Sequence, residues 1–146
     1  MQSMKPSSPT IHWMQRNLLW IDCVGGWIVG IPTLACHGLL ANLYGISEGG
    51  VLYLGTANLV YGCGSFLLAR LRRRPLIWIR GLAVANMVWG LQCWLLLILV
   101  FPKLTLMGKG QLLLEGAYVF FLGWIEWKYQ DALADANAFK EEELPP

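Results

Sequence analysis

The sequence predicts an all-α transmembrane protein, built as an up-down bundle of four helices. Four apolar stretches take up most of the 146 residues, and each is close to the roughly 20 residues that a helix needs to cross a ~30 Å hydrocarbon core. Charged residues make up only 14% of the chain and apolar residues 56%, whereas an average soluble domain has about 25% charged residues. The predicted spans are 18–40, 51–68, 76–101 and 104–127.

The four spans are predicted to form a single domain with polar ends. Residues 1–16 are expected to be a cytoplasmic N-terminal segment, residues 17–128 the transmembrane domain, and residues 129–146 an acidic cytoplasmic tail. The apolar run after Arg16 is about twice as long as the 7–15 residues of a signal-peptide core, so no cleaved signal is expected. Strands are excluded because they usually end after about 4–8 residues.

Each span carries a stripe of small and polar residues at helical spacing. Lipid gives helices no hydrophobic reason to associate, so such stripes indicate the faces that meet. In chain order the stripes are Asp22, Gly26, Gly30, Thr33 and His37; then Gly55, Asn58, Gly62, Ser65 and Ala69; then Ala83, Asn86, Gly90 and Cys93; and finally Glu115, Val119, Leu122 and Glu126, flanked by Gly116 and Gly123. The opposite faces are apolar and are expected to contact lipid.

The basic residues are distributed unevenly between the two sides of the predicted bundle. With four spans, both ends and the second connection share one side, which holds nine of the eleven basic residues; the other side has only Lys103 and Lys109. Arg70 to Arg74 contribute most of this bias. Since loops rich in Lys and Arg remain in the cytoplasm, both termini are predicted to be cytoplasmic, in the inner membrane of a bacterium.

Ionisable and amide side chains inside the spans are the candidate site residues, because each charge costs about 2.5–3.5 kcal/mol at the bilayer centre on insertion scales. Asp22 and Arg80 lie at similar predicted depth, so a salt bridge between them is expected; the alternative is that Arg80 extends to the lipid headgroups without a partner. His37, Glu115 and Asn58 are expected to approach one another at the opposite end. Asn86 lies deeper, where amides usually cross-link helices. Whether these groups are structural or functional is left open by the sequence.

Several kinds of chemistry are disfavoured by the residue inventory. His12 and His37 are the only histidines, and ~37 Å of helix would separate them, so one chain does not supply both axial ligands of a haem. No carboxylate–histidine pair stands at metal-ligand spacing, the four cysteines are dispersed, and no phosphate-binding glycine loop is present. The sequence therefore predicts no catalytic residues, no metal, no cofactor and no nucleic acid partner.

Short sequence elements resemble a group of small bacterial four-span membrane proteins. The resemblance covers roughly residues 18–128 and rests on five elements: Ile21-Asp22 before the glycine-spaced helix, the arginine cluster, Asn86-x-x-Trp89, Phe101-Pro102 with Gly108, and Glu126-Trp127. It implies a fold and no activity. The group tends to have an amide where this chain has Glu115, so a shared role for that position is in doubt. DoxX-type four-helix proteins, linked to quinone or thiol redox chemistry, are a looser likeness.

The expected function is that of a non-enzymatic accessory or interaction subunit. Its expected binding partners are the lipid bilayer and either another membrane protein or further copies of the chain. The short connections leave no room for a soluble site. The alternative is a small transporter, or a DoxX-like redox accessory, that uses the buried polar residues. A small multidrug exporter is less well supported because the working Glu of those proteins lies in the first span, whereas Glu115 lies in the fourth.

Overall fold

Three of the predicted spans, 51–68, 76–101 and 104–127, coincide with helices to within three residues at each end, whereas the helix of the first span begins at Pro9 and ends at Ala35. The computed structural model describes residues 9–71 and 73–134. It consists of α1 (Pro9–Ala35), α2 (His37–Tyr44), α3 (Glu48–Arg70), α4 (Leu76–Val100), α5 (Leu106–Lys128) and α6 (Gln130–Ala134). This part of the chain contains no strand, and the prediction of an all-α fold is confirmed. Most of the predicted acidic tail lies outside the described residues.

The predicted first span is interrupted at Cys36. Pro32 lies inside the last turn of α1, where it has no N–H to donate. Thr33 Oγ1 donates to the carbonyl oxygen of Val29 at 2.7 Å, a bond that tends to bend helices. Cys36 then takes φ −113° and ψ 24°, and the chain continues as the short helix α2.

Side-chain and glycine caps determine where the next helices begin and end. Ser47 accepts a hydrogen bond from the backbone N–H of Gly50 at the start of α3, and Thr105 accepts one from Gly108 at the start of α5. Gly45 ends α2 with a positive φ of 73°, a conformation that glycine adopts without steric cost. A side chain at Gly45 would also collide with the carbonyl oxygen of Lys103. This turn therefore packs directly against residues 101–105, which connect α4 to α5.

Among residues 9–71 and 73–134, three helices are long and apolar enough to cross a membrane: 17–35 of α1, α3 and α4, with mean hydropathies of 1.6, 1.4 and 1.9. These segments support the prediction of a membrane protein. The fourth predicted span, α5, has the same 23-residue length as α3. It contains four charged residues, Lys109, Glu115, Glu126 and Lys128, whereas α3 contains two.

The long helices associate as two tightly packed antiparallel pairs. Helix pair A consists of α1 and α3, and helix pair B of α4 and α5. In pair A, a Cβ atom at Gly26 would lie 2.7 Å from the carbonyl oxygen of Asn58, and one at Gly55 would touch Leu34. In pair B, a Cβ atom at Gly123 would lie 2.6 Å from the carbonyl oxygen of Ala83. Contacting residue numbers rise in one helix as they fall in the other, so each pair is antiparallel.

The two pairs touch each other much less than the helices within them do. Buried apolar side chains form two clusters between the pairs, one centred on Leu19, Ile79 and Leu133 and one centred on Trp89, Cys93 and Leu112. Asp22, Asn58, Asn86 and Glu115 line one space between the pairs. The fold therefore places its polar atoms in a layer where the pairs meet.

Candidate functional site: a polar cavity between the helix pairs

A cavity of about 220 Å³ lies between the two helix pairs. All four long helices line it, and the space is far larger than the ~10–15 Å³ needed to hold one water. Its polar walls are Asp22 from α1, Asn58 from α3, Asn86 from α4, and Gln111 and Glu115 from α5; its aromatic walls are Tyr61, Trp89 and Tyr118.

Glu115 is the most extensively hydrogen-bonded residue of the cavity. Its Oε1 accepts from Asn58 Nδ2 at 2.7 Å and from Trp89 Nε1 at 3.1 Å, and its Oε2 accepts from Gln111 Nε2 at 2.9 Å. The side chain is 8% exposed. Donors from three helices thus converge on one carboxyl group, and the bond from Asn58 connects pair A to pair B.

A second polar group surrounds Asp22 at the other end of the cavity. Ser65 donates its hydroxyl to Asp22 Oδ2 within pair A, and Asn86 Nδ2 donates to Glu126 Oε2 at 3.0 Å within pair B. Glu126 is completely buried, and its Oε1 has no hydrogen-bond partner among the described residues. The cavity therefore extends between two sites that contain buried acids, Glu115 at one and Asp22 with Glu126 at the other.

The expected salt bridge between Asp22 and Arg80 is not formed. Arg80 is exposed, and its Nε donates to Gln130 Oε1 at 2.6 Å in α6. The single residue of α6 that is buried, Leu133, packs in the core beneath this contact. The short helix after α5 thus offers Arg80 a partner at the surface, where the desolvation cost of a buried ion pair does not arise.

His37 is likewise placed away from Glu115. It begins α2 after the break at Cys36, and its Nδ1 lies 3.9 Å from Glu48 Oε2. Among the described residues, no other basic nitrogen lies within 4.0 Å of a carboxylate oxygen, and the Glu48 side chain is 67% exposed. Because the first span is broken at Cys36, His37 does not continue the face of α1 that was expected to approach Glu115.

No basic side chain of the described residues lies within salt-bridge distance of Asp22, Glu115 or Glu126. The three acids are held by amide, hydroxyl and indole donors. Within the same part of the chain, no three His, Cys, Asp or Glu side chains are grouped so as to hold a metal ion. The cavity is therefore acidic, with no counter-charge supplied by its walls.

The six glycines predicted to lie at helix contacts all occur where helices approach closely. Gly26, Gly30 and Gly62 lie between α1 and α3, and Gly90, Gly116 and Gly123 lie between α4 and α5. A Cβ atom at Gly90 would be 2.7 Å from the carbonyl oxygen of Gly116. These glycines join the helices within each pair, while apolar side chains and hydrogen bonds connect the pairs.

The sequence pattern did not mark six residues of the site as site residues: Glu126, Trp89, Gln111, Ser65, Tyr61 and Tyr118. Glu126 follows Glu115 by eleven positions, which is about three helical turns, so the two share one face of α5. That spacing was recognised as a packing stripe only. The roles of Trp89 and Gln111 as donors to Glu115 depend on how α4 and α5 are rotated against each other.

Tyr118 lies where the cavity opens between α1 and α5. It lines the cavity, is 44% exposed, and its hydroxyl is 3.5 Å from the carbonyl oxygen of Ile21. A Cβ atom at Gly25 would lie 2.6 Å from this hydroxyl oxygen. Gly25 therefore provides the space in which Tyr118 crosses the gap between the two helix pairs.

Comparison of the chain with protein-family models, curated proteins and solved structures found no match. The function is therefore argued from the cavity and its surroundings.

Proposed function

We propose that this chain is a bacterial inner-membrane protein, an up-down four-helix bundle with both termini in the cytoplasm and α5 as its fourth span. The outward face of α5 supports this, because Leu106, Leu114 and Phe121 are 87%, 70% and 58% exposed. Glu115 and Glu126 on the same helix are buried. A helix of this kind presents apolar side chains to lipid while its acids face protein, as intramembrane acids generally do.

The proposed activity is the binding and transfer of a small monovalent cation through the polar cavity. The observation that carries this proposal is that one cavity joins Asp22 and Glu115, acids to which the described residues supply no basic partner. A carboxyl group at membrane depth has to be paired, hydrated or protonated. A cation or a proton that enters the cavity meets this requirement.

The aromatic walls favour a small organic ammonium ion over a metal ion as the cation. Tyr61, Trp89 and Tyr118 line the same space as the two acids, and aromatic rings attract organic cations through their negative faces. A Mg²⁺ or Ca²⁺ ion would instead require six or more oxygen ligands. Among the described residues, no three His, Cys, Asp or Glu side chains are grouped so as to hold a metal ion.

The arrangement in two helix pairs allows one pair to move relative to the other around the cavity. Within each pair, glycines bring backbones into contact. Between the pairs, the contact is made by side chains, both in two apolar clusters and in hydrogen bonds such as Asn58 to Glu115 and Gln92 to Tyr53. Rigid halves that rock against each other around a central site are a common arrangement in transporters, and hydrogen bonds exchange partners more readily than close-packed backbones.

A transport assay tests the proposed activity. Purified protein is reconstituted into vesicles, and uptake of protons and of radiolabelled tetramethylammonium is measured separately. The variants Glu115→Gln and Asp22→Asn are expected to reduce uptake of the transported probe at least tenfold, while Glu48→Gln, at an exposed acid, serves as the matched control. Wild-type uptake by both cavity variants would overturn the proposal.

The second candidate is a non-enzymatic accessory or interaction subunit, bound to a membrane protein partner or to further copies of the chain. It is favoured by the short connections: only residues 71–75 separate α3 from α4, and 101–105 separate α4 from α5. Co-purification with a larger membrane complex, combined with silent cavity variants, would support this candidate. Reporter fusions after Lys128 and between residues 42 and 50 test the proposed orientation, with cytoplasmic signal expected only from the first.

A further inference from the structure

An apolar groove lies on the outside of the molecule between the end of α3 and the start of α4, separate from the polar cavity. Its volume is about 670 Å³, within the range of ~300–1,000 Å³ that is usual for ligand pockets. The side chains along it are exposed: Leu67 is 65%, Ile77 71% and Trp78 65% accessible. The groove is open because α3 and α4, although consecutive, touch only sparsely.

Two glycines, one on each wall, create the depth of this groove. Gly64 on α3 and Gly81 on α4 both line it, and a Cβ atom at either position would meet no atom within 4 Å. No close helix contact therefore requires glycine at these positions, in contrast to Gly26 or Gly123. Glycine in a helix interior costs roughly 0.5–1 kcal/mol relative to alanine; at Gly64 and Gly81 the missing side chains leave the space between the two walls open.

The length of the groove matches one leaflet of a bilayer. On α4 it extends from Ile77 to Ala85. These two residues are eight positions apart, which corresponds to a helical rise of about 12 Å. The hydrocarbon core is ~30 Å thick, so each leaflet contributes about half of that. A transmembrane helix of a second copy would need a groove along most of the bilayer, whereas an acyl chain of a single leaflet needs only this length.

Positive charge lies at the end of the groove where a lipid headgroup would be. Leu71 and Pro75 line the groove, and the connection between them carries Arg73, which is exposed. Arg74 is directed elsewhere, since it donates to the carbonyl oxygens of Leu68, Ala69 and Leu133. The sequence contains no acidic residue between Glu48 and Glu115, so neither α3 beyond its first turn nor α4 supplies a negative partner.

We propose that this groove binds an anionic phospholipid, with an acyl chain between Gly64 and Gly81 and the phosphate group at Arg73. The apolar walls provide the contact with the chain, and the arginine provides the preference for a negative headgroup. Trp78, exposed at the same end of the groove, is of the residue type that prefers the headgroup level.

Lipid binding is measured by native mass spectrometry of the full-length protein in mild detergent, with phosphatidylglycerol or phosphatidylcholine of the same acyl chains added. The wild-type protein is expected to retain phosphatidylglycerol preferentially. Arg73→Gln is expected to weaken its binding about fivefold, which corresponds to ~1 kcal/mol for one basic residue at the membrane surface. Gly81→Leu, which fills the groove, is expected to abolish retention of both lipids.

Matched controls distinguish this site from general changes in charge or helix packing. Lys103→Gln removes an exposed positive charge at the other end of the molecule, and Gly110→Leu adds a side chain at another glycine with open space around it; both are expected to bind lipid as the wild type does. Gly64→Leu replaces Gly81→Leu if the latter fails to fold. Equal retention of the two lipids by the wild type, or a change of oligomeric state on filling the groove, would overturn the proposal.

Discussion

Asn58 and Glu115 form a hydrogen bond of 2.7 Å between residues that are 57 positions apart. The same amide group also donates to the carbonyl oxygen of Leu54 at 2.9 Å, so both of its N–H groups are used. Asn58 belongs to helix pair A and Glu115 to helix pair B. This bond therefore holds the two pairs together at the cavity and keeps the carboxyl group of Glu115 in position.

Asn58→Leu is expected to destabilise the protein by about 1 kcal/mol, since buried hydrogen bonds between membrane helices contribute up to ~1.7 kcal/mol. Glu115 keeps its bonds to Trp89 and Gln111, which limits the loss. The measurement is reversible unfolding in mixed micelles. Asn42→Leu is the control because its amide is exposed and bonds only within α2; a loss at position 42 as large as that at 58 would contradict the assigned role.

Gly26→Val is expected to destabilise helix pair A by about 1–3 kcal/mol, the usual cost of overpacking. Its Cβ atom would lie 2.7 Å from the carbonyl oxygen of Asn58 and 2.9 Å from the Cα atom of Gly62, which are backbone atoms without freedom to move aside. Unfolding in micelles measures the effect. The matched control, Gly110→Val, adds a side chain where no atom lies within 4 Å and should be nearly neutral.

Arg74→Met is expected to destabilise the end of α3 by about 1–3 kcal/mol because three carbonyl oxygens lose a charged donor. Arg74 donates to Leu68 and Ala69 at 3.0 and 3.1 Å and to Leu133 of α6 at 3.3 Å. Burial lowers the pKa of Arg74, and an arginine guanidinium stays charged at neutral pH. Hydrogen exchange of α6 amides reports the loss, and an unchanged exchange rate would argue against this anchoring.

Tyr118→Ala is expected to open the cavity toward the gap between α1 and α5. The tyrosine hydroxyl is 3.5 Å from the carbonyl oxygen of Ile21, and the ring lines the cavity. The readout is the labelling rate of a cysteine at Val29, a cavity residue, in a chain with the native cysteines replaced. Labelling should become several-fold faster with Tyr118→Ala and change little with Tyr118→Phe; equal rates in all three proteins would place the entrance elsewhere.

The candidate site was only partly predictable from the sequence. Asp22, Asn58, Asn86 and Glu115 were expected to face the interior because charged and amide groups avoid lipid, and all four line the cavity. Their partners were not predictable, since a hydrogen bond depends on the rotation and depth of two helices to within about an ångström. Arg80 pairs with Gln130, and His37 lies beside Glu48, each because of a short helix that hydropathy does not reveal.

The sequence by itself determined the all-helical fold, the apolar segments and the faces on which glycines and polar residues lie, because hydropathy and helical periodicity are local properties. Only the tertiary structure decided that α1 pairs with α3 and α4 with α5, and that the cavity acids face amides instead of arginines. The physical reason is that pairing among apolar helices depends on which surfaces permit backbone contact. That complementarity arises only when two helices far apart in the chain are brought together.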